Sequence, residues 1–231
     1  MAVCAPVRMM RTIVFEDRGH AGRELAAQLS PLARERPIVL GLPRGGVPVA
    51  VEVARALGAP LDVLTVRKLG APQNPEMGVG AVAEDGTGVL NLALARSVGM
   101  TQTQLDRIVE REIHELRRRV ERFRDGRAPV DVRGRTVVVV DDGLATGLSD
   151  LAAVRALHRR GAARIVVAVP VGSGEAVAML GEHADEVVCH MIPHHLMGVG
   201  YWYEDFSPVS DEEVVALLAE AGTRVPSGPA I

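Results

Sequence analysis

VVVVDDGLATGLS, residues 137–149, decides the fold. Four successive valines, Val137 to Val140, show no polar alternation, the pattern of a strand buried on both faces of a parallel sheet. The strand runs into Asp141 and Asp142, then a turn, then Thr146-Gly147-Leu148-Ser149 at the head of a stretch with helical apolar periodicity. Ligands of parallel sheets bind beyond the carboxyl ends of the strands, where this acid pair emerges. Backbone N–H groups of the turn, aided by the positive end of the helix dipole, suit an anion. Carboxylates for a diol beside a cradle for a phosphate form a sugar-phosphate site.

Outward from this segment, strands and helices alternate. Upstream, residues 15–29 predict a turn and a helix, 38–42 a strand, Pro43-Arg44-Gly45-Gly46 a turn, 47–57 a helix and 61–66 a second strand. Residues 69–78 (LGAPQNPEMG) predict a loop, and 79–83 with 89–92 a hairpin. Residues 101–125 predict a long amphipathic helix, with Leu105, Ile108, Val109, Ile113, Leu116, Val120 and Phe123 on one face. The charges on its other face include the i,i+4 pairs Arg111–Glu115 and Glu115–Arg119. Downstream come a helix at 148–160, a strand at 164–169, a helix at 174–183, a strand at 186–189, an irregular aromatic segment at 190–206 and a helix at 211–220. The alternation predicts an α/β fold, a parallel doubly wound sheet flanked by helices. We expect a single domain over 11–231, with a helical insertion at about 93–127, acting as a lid or an oligomer contact, and a tail at 1–10.

The chain has 231 residues, 48% of them apolar, enough for a substantial core. No run approaches the ~18 apolar residues that span a bilayer, and the first twenty lack the apolar stretch of a secretory signal. Cys4 and Cys189 support no disulfide framework, so a cytoplasmic setting is expected. A net charge of −3 argues against nucleic-acid binding. Lys68 is the only lysine, so no Walker A motif exists and any lysine chemistry falls to it. His183, Cys189, His190, His194 and His195 match no zinc spacing, and no Gly-x-Ser-x-Gly elbow is present.

Gly41-Leu42-Pro43-Arg44-Gly45-Gly46, between a strand and a helix, reads as a second anion loop, with Arg44 adding a charge-assisted bond. Its G-x-x-x-G-G pattern is not the dinucleotide fingerprint, which also needs an acidic residue ending the next strand. Arg67 and Lys68 place adjacent cations at a strand end, before a loop that could close over a ligand.

The 141–149 segment resembles the motif of type I phosphoribosyltransferases that binds 5-phosphoribosyl 1-pyrophosphate (PRPP), two acids followed by Thr-Gly-x-Ser/Thr. The resemblance implies that Asp141 and Asp142 hold the ribose hydroxyls and support an oxocarbenium-like state. Ala145, Thr146, Gly147, Leu148 and Ser149 then cradle the 5′-phosphate. Arg44, Gly45 and Gly46, with Arg67 and Lys68, would hold the pyrophosphate and its Mg²⁺, Lys68 also counting as catalytic. Gly198-Val199-Gly200-Tyr201-Trp202-Tyr203-Glu204-Asp205 resembles the hood of purine-type members, so Tyr201, Trp202 and Glu204 are the expected base contacts; Glu204 or Asp205 would approach the metal. FEDRGHAGREL, GLPRGGVPVA, VRKLGAPQNPE, DDGLATG and YWYEDF together resemble a bacterial group of predicted phosphoribosyltransferases with no assigned acceptor. Two departures bear on the acceptor. Ala145 stands where 6-oxopurine enzymes place an acid, and no lysine follows Lys68 to read a purine oxygen. The expected partners are PRPP and a small base-like acceptor, with no membrane, no nucleic acid and a homo-oligomeric state. A sensor that binds PRPP without turnover is the alternative.

Overall fold

The computed structural model describes residues 15–71 and 74–224. The expected tail at 1–10, with Cys4, lies outside them.

Five strands, β1 (Ile38–Gly41), β2 (Leu61–Val63), β6 (Thr136–Val140), β7 (Arg164–Val171) and β8 (Glu186–Met191), form a parallel sheet in the order β2-β1-β6-β7-β8. The valine strand lies at its centre, every residue from Val137 to Val140 fully buried, as its unbroken apolar run requires. One face packs under α1 (Arg18–Leu29) and α2 (Gly46–Leu57), through Leu25, Val49 and Val53 against Val39, Val138 and Val140. The other packs under α5 (Leu148–Arg159) and α6 (Gly174–Gly181), through Leu151, Val154, Leu157 and Leu180 against Ile38, Val137 and Val139. Gly41 is in register with Val140, so the loops that follow β1 and β6 leave the sheet at one level, side by side.

The predicted strand at 61–66 is two strands in different sheets. Leu64 N–H still donates to Gly41 O, but Thr65 N–H turns to Glu84 Oε2, and β3 (Val66–Ala71) starts a separate antiparallel sheet with β4 (Asn74–Ala83) and β5 (Gly88–Leu90). The predicted loop at 69–78 is mostly strand. Gly70 pairs with Gly78 and Ala71 with Asn74 through shifted register, so the Gly, Pro and Asn residues mark irregular pairing. The excursion from the main sheet therefore begins at Val66 and contains three strands as well as helices α3 (Leu92–Ser97) and α4 (Gln102–Arg124). Thr101 and Gln104 close a capping box at the start of α4, and Leu105, Ile108 and Leu116 bury its apolar face against Leu69, Val79 and Val82. Glu115 pairs with Arg118 and Arg119, whereas Arg111 turns to Glu112. The last helix, α7 (Asp211–Arg224), packs on α2 and α4.

Candidate active site

The two loops meet at the sheet's carboxyl edge. Leu42 N–H donates to Val140 O at 2.8 Å, and the Pro43–Arg44 peptide between them and α2 is cis. A Cβ on Gly45 would overlap the Asp142 carboxyl, and one on Gly46 would lie 2.5 Å from Val140 O. These glycines are required for close approach. The arrangement brings Gly45 and Gly46 against Asp141 and Asp142. Arg44 points outward, exposed, with Nη1 3.7 Å from Asp211 Oδ1.

Asp142 is held at both its side chain and its backbone. Arg18 Nε donates to its Oδ2 at 2.9 Å, and Tyr203 Oη donates to its backbone carbonyl at 2.7 Å. Arg18 in turn lies 3.9 Å over the Phe206 ring and donates to Ser207 O. Burial raises the Asp142 carboxyl above its ordinary range, and the Arg18 guanidinium opposes that rise. Asp141 accepts from Asp142 N–H at 2.8 Å. Burial lifts its carboxyl well above the carboxylate range, and the charges of Asp142 and Asp150 add to the effect.

The second loop is anchored at its base and open at its tip. Leu144 N–H donates to Val171 O, Ser173 N–H to Leu144 O, and Ser173 Oγ to Ala145 O. Ala145 and Thr146 are exposed. Gly147 has φ of 70°, a conformation that calls for glycine. It caps α5, whose first-turn N–H groups have no carbonyl partner four residues back within the helix, the kind of helix start that suits a phosphate. Thr146 and Ser149 place hydroxyls on the same turn.

The expected cation pair is split. Adjacent residues of a strand point to opposite faces. Arg67 turns toward α4, where Nε donates to Glu112 Oε2 at 2.7 Å. Lys68 is exposed on the other face, and its charge acts on Asp141, Asp142 and Asp150. Lys68 is therefore directed to the acid cluster and Arg67 is not; the alternation of a strand explains the difference.

The hood is also divided. Tyr203 is buried with Phe15, Val171 and Ala21, and Phe15 N–H donates to Trp202 O while Glu204 N–H donates to Phe15 O. Trp202 packs on this plug, whereas Tyr201 and Glu204 are exposed. Beside the plug, Ser173, Glu175, Ile192, His194, His195 and Met197 line a hollow that reaches the second loop through Ser173. Among the described residues, no group of three or more His, Cys, Asp or Glu is arranged to hold a metal, and no helix is long and apolar enough to cross a membrane.

Arg18, Glu112, Asp150 and Phe206 had no assigned role in the sequence reading. Arg18 and Phe206 fall within FEDRGHAGREL and YWYEDF, and Asp150 interrupts an apolar helical face, which was a visible signal.

A parallel sheet flanked by helices, with a glycine-lined loop, an acid pair and a helix start gathered at its carboxyl edge, defines an α/β protein with a candidate ligand site at that edge. The family model described as "Phosphoribosyl transferase domain" matches residues 15–203, and the chain belongs to that family. It is 49% identical over 208 residues to "Putative phosphoribosyl transferase" Rv0571c of Mycobacterium tuberculosis strain H37Rv, and equally to MT0597 of strain CDC 1551. Those alignments cover 90% of this chain and 47% of each relative, so the chain spans about half the length of the curated relatives it matches. The crystal structure of TT1426 from Thermus thermophilus superposes with a TM-score of 0.76 at 51% identity, covering 90% of this chain and 98% of that one.

Proposed function

We propose that this chain transfers the 5-phosphoribosyl group of PRPP, with its Mg²⁺, to a nitrogenous base-like acceptor and releases pyrophosphate. The observation that carries this reading is the contact of Gly45 and Gly46 with Asp141 and Asp142, which brings a leaving-group loop against the diol carboxylates. Asp141 and Asp142 accept from the ribose hydroxyls and stabilise positive charge at the anomeric carbon. Residues 145–149 hold the 5′-phosphate. The first loop, with Arg44 and Lys68, neutralises the departing pyrophosphate; Arg67 is assigned instead to holding α4 on β3. The acceptor enters between the hood and the second loop. Tyr201 and Met197, 49% and 69% exposed, offer apolar surface there, and Trp202 and Glu204 stand next to them.

The alternative, a PRPP sensor without turnover, is favoured by one observation: Asp142 already has a partner in Arg18. Pyrophosphate release from PRPP and Mg²⁺ across purine, pyrimidine and pyridine acceptors decides between them, with Asp141→Asn/Asp142→Asn as control. Release that depends on one acceptor and is lost in the control supports transfer. Thermal stabilisation by PRPP with no release for any acceptor supports the sensor, and absence of both overturns the site.

A further inference from the structure

Helix α5 carries a carboxyl that none of the roles above employs. Asp150 is the third residue of LSDLAAVRALHR, 3% exposed, on the side of the helix shared by buried Val154 and Leu157. Its Oδ1 is buried and has no hydrogen-bond partner. Leaving such an atom unpaired is costly.

The charged groups that act on it come from two elements. Lys68 on β3 favours the ionised form, and Asp142 after β6 opposes it; Asp150 in turn acts on Asp141. Among the described residues, the remaining strands packed on α5 add no charge there. Residues 78–83 of β4, 88–90 of β5 and 136–140 of β6 include no titratable side chain. On β7 the only one is Arg164, at the strand's opposite end, where it pairs with Glu35 and Glu186. Burial, the largest influence, lifts the Asp150 carboxyl to about 7 against the hydrogen bond from its own backbone N–H and the charge of Lys68. Both protonation states are therefore populated near neutrality.

The position matters because Asp150 belongs to the first turn of α5, whose N–H groups serve the second loop. An ionised carboxylate at the root of that turn opposes an incoming phosphate through a poorly screened interior. We propose that Asp150 is a positioning residue of the phosphate loop, neutral whenever the loop is filled, so that PRPP binds together with one proton from solvent. The proposal rests on the reading of residues 145–149 as the phosphate site. The proton adds to a carboxylate oxygen of Asp150, and no other bond is made or broken.

The test is calorimetric titration of the full chain with PRPP and Mg²⁺ in two buffers of different ionisation enthalpy at pH 7.5, with affinities from pH 6 to 9. Wild type should take up a larger fraction of a proton than Asp150→Asn. Its affinity should fall by up to about tenfold per pH unit above 7, while that of the variant stays nearly level. Equal uptake and parallel pH curves would overturn the proposal and leave the phosphate site standing. No PRPP binding by wild type at any pH would overturn both. Should Asp150→Asn fail to fold, Asp150→Leu, which removes the unpaired oxygen with the charge, provides the same comparison.

Discussion

Arg18 Nε reaches Asp142 Oδ2 at 2.9 Å across 124 residues of sequence, and so ties the first turn of α1 to the carboxyl edge of the sheet. The guanidinium is sandwiched between that carboxylate and the Phe206 ring, with both members of the ion pair largely buried. One side chain thereby connects the N-terminal helix, the acid pair and the segment that follows the hood.

Arg18→Met should lower stability by roughly 2 kcal/mol, the scale of a buried hydrogen bond to a charged group. It should also change the pH dependence of PRPP binding. Arg18 holds the Asp142 carboxyl down against burial, so its removal moves ionisation to higher pH. The acidic limb of the binding profile should shift upward, with PRPP bound more weakly at pH 6 than at pH 8 relative to wild type. An unmoved limb would show that Asp142 does not need its charge for the diol.

Gly45→Ala tests the contact between the loops. The added methyl overlaps the Asp142 carboxyl, and relieving such overpacking costs about 1–3 kcal/mol. PRPP affinity should fall by roughly ten- to a hundredfold. Circular dichroism should remain native, because the strain is confined to a loop. Unchanged affinity would separate the first loop from the binding site.

Arg67 and Lys68 should give opposite phenotypes. Lys68→Met should reduce turnover by about a hundredfold or more, the usual loss when a group serving developing charge is removed, and leave stability near wild type. Arg67→Met leaves the buried Glu112 carboxylate with Arg111 alone and should cost roughly 2 kcal/mol in urea denaturation, the scale of a hydrogen bond to a charged group. Its effect on PRPP affinity should be small. Reversed phenotypes would place Arg67 at the leaving group.

Stability should depend on pH through Asp150. Its carboxyl titrates near 7 in the folded chain, and near its ordinary value of 3.8 when unfolded, so the folded state binds more protons between those limits. The advantage of the neutral carboxyl is whole below about pH 4, declines as pH rises, and is gone above about pH 7. Asp150→Asn should therefore gain on wild type between pH 5 and pH 8, by up to about 2.5 kcal/mol. Denaturation midpoints at the two pH values measure the gain, and a constant difference would contradict the assignment.

These side chains also show what a sequence displays and what it hides. The valine strand, the acid pair and the glycines of both loops depend on local order, and their elements form where expected. The opposition of Arg67 and Lys68 was legible too, since a strand has period two, but only once β3 was known to be a strand. The Gly, Pro and Asn residues around 69–78 read as a loop because they have low strand propensity, and they are held as strand by irregular pairing across the hairpin, Gly70 with Gly78 and Ala71 with Asn74. Asp150 was visible as a charge on an apolar helical face. Its unpaired oxygen and its neighbour Lys68 belong to tertiary structure. The Arg18–Asp142 pair had no signal at all, because nothing in either segment specifies contact with the other.

The excursion that carries β3 to α4 leaves the main sheet after Leu64 and comes back beside it at Val130, ahead of β6. Asp62 holds both ends, accepting from Val130 N–H and from Arg124, while Arg124 also donates to Val63 O and Glu84. Exit and re-entry thus share one clasp. The entropy of closing a loop grows only slowly with its length, so such a segment can lengthen, shrink or be replaced at little thermodynamic cost. An arm of another length or shape can therefore be carried on the Asp62 clasp with the two loops at the sheet's carboxyl edge unchanged.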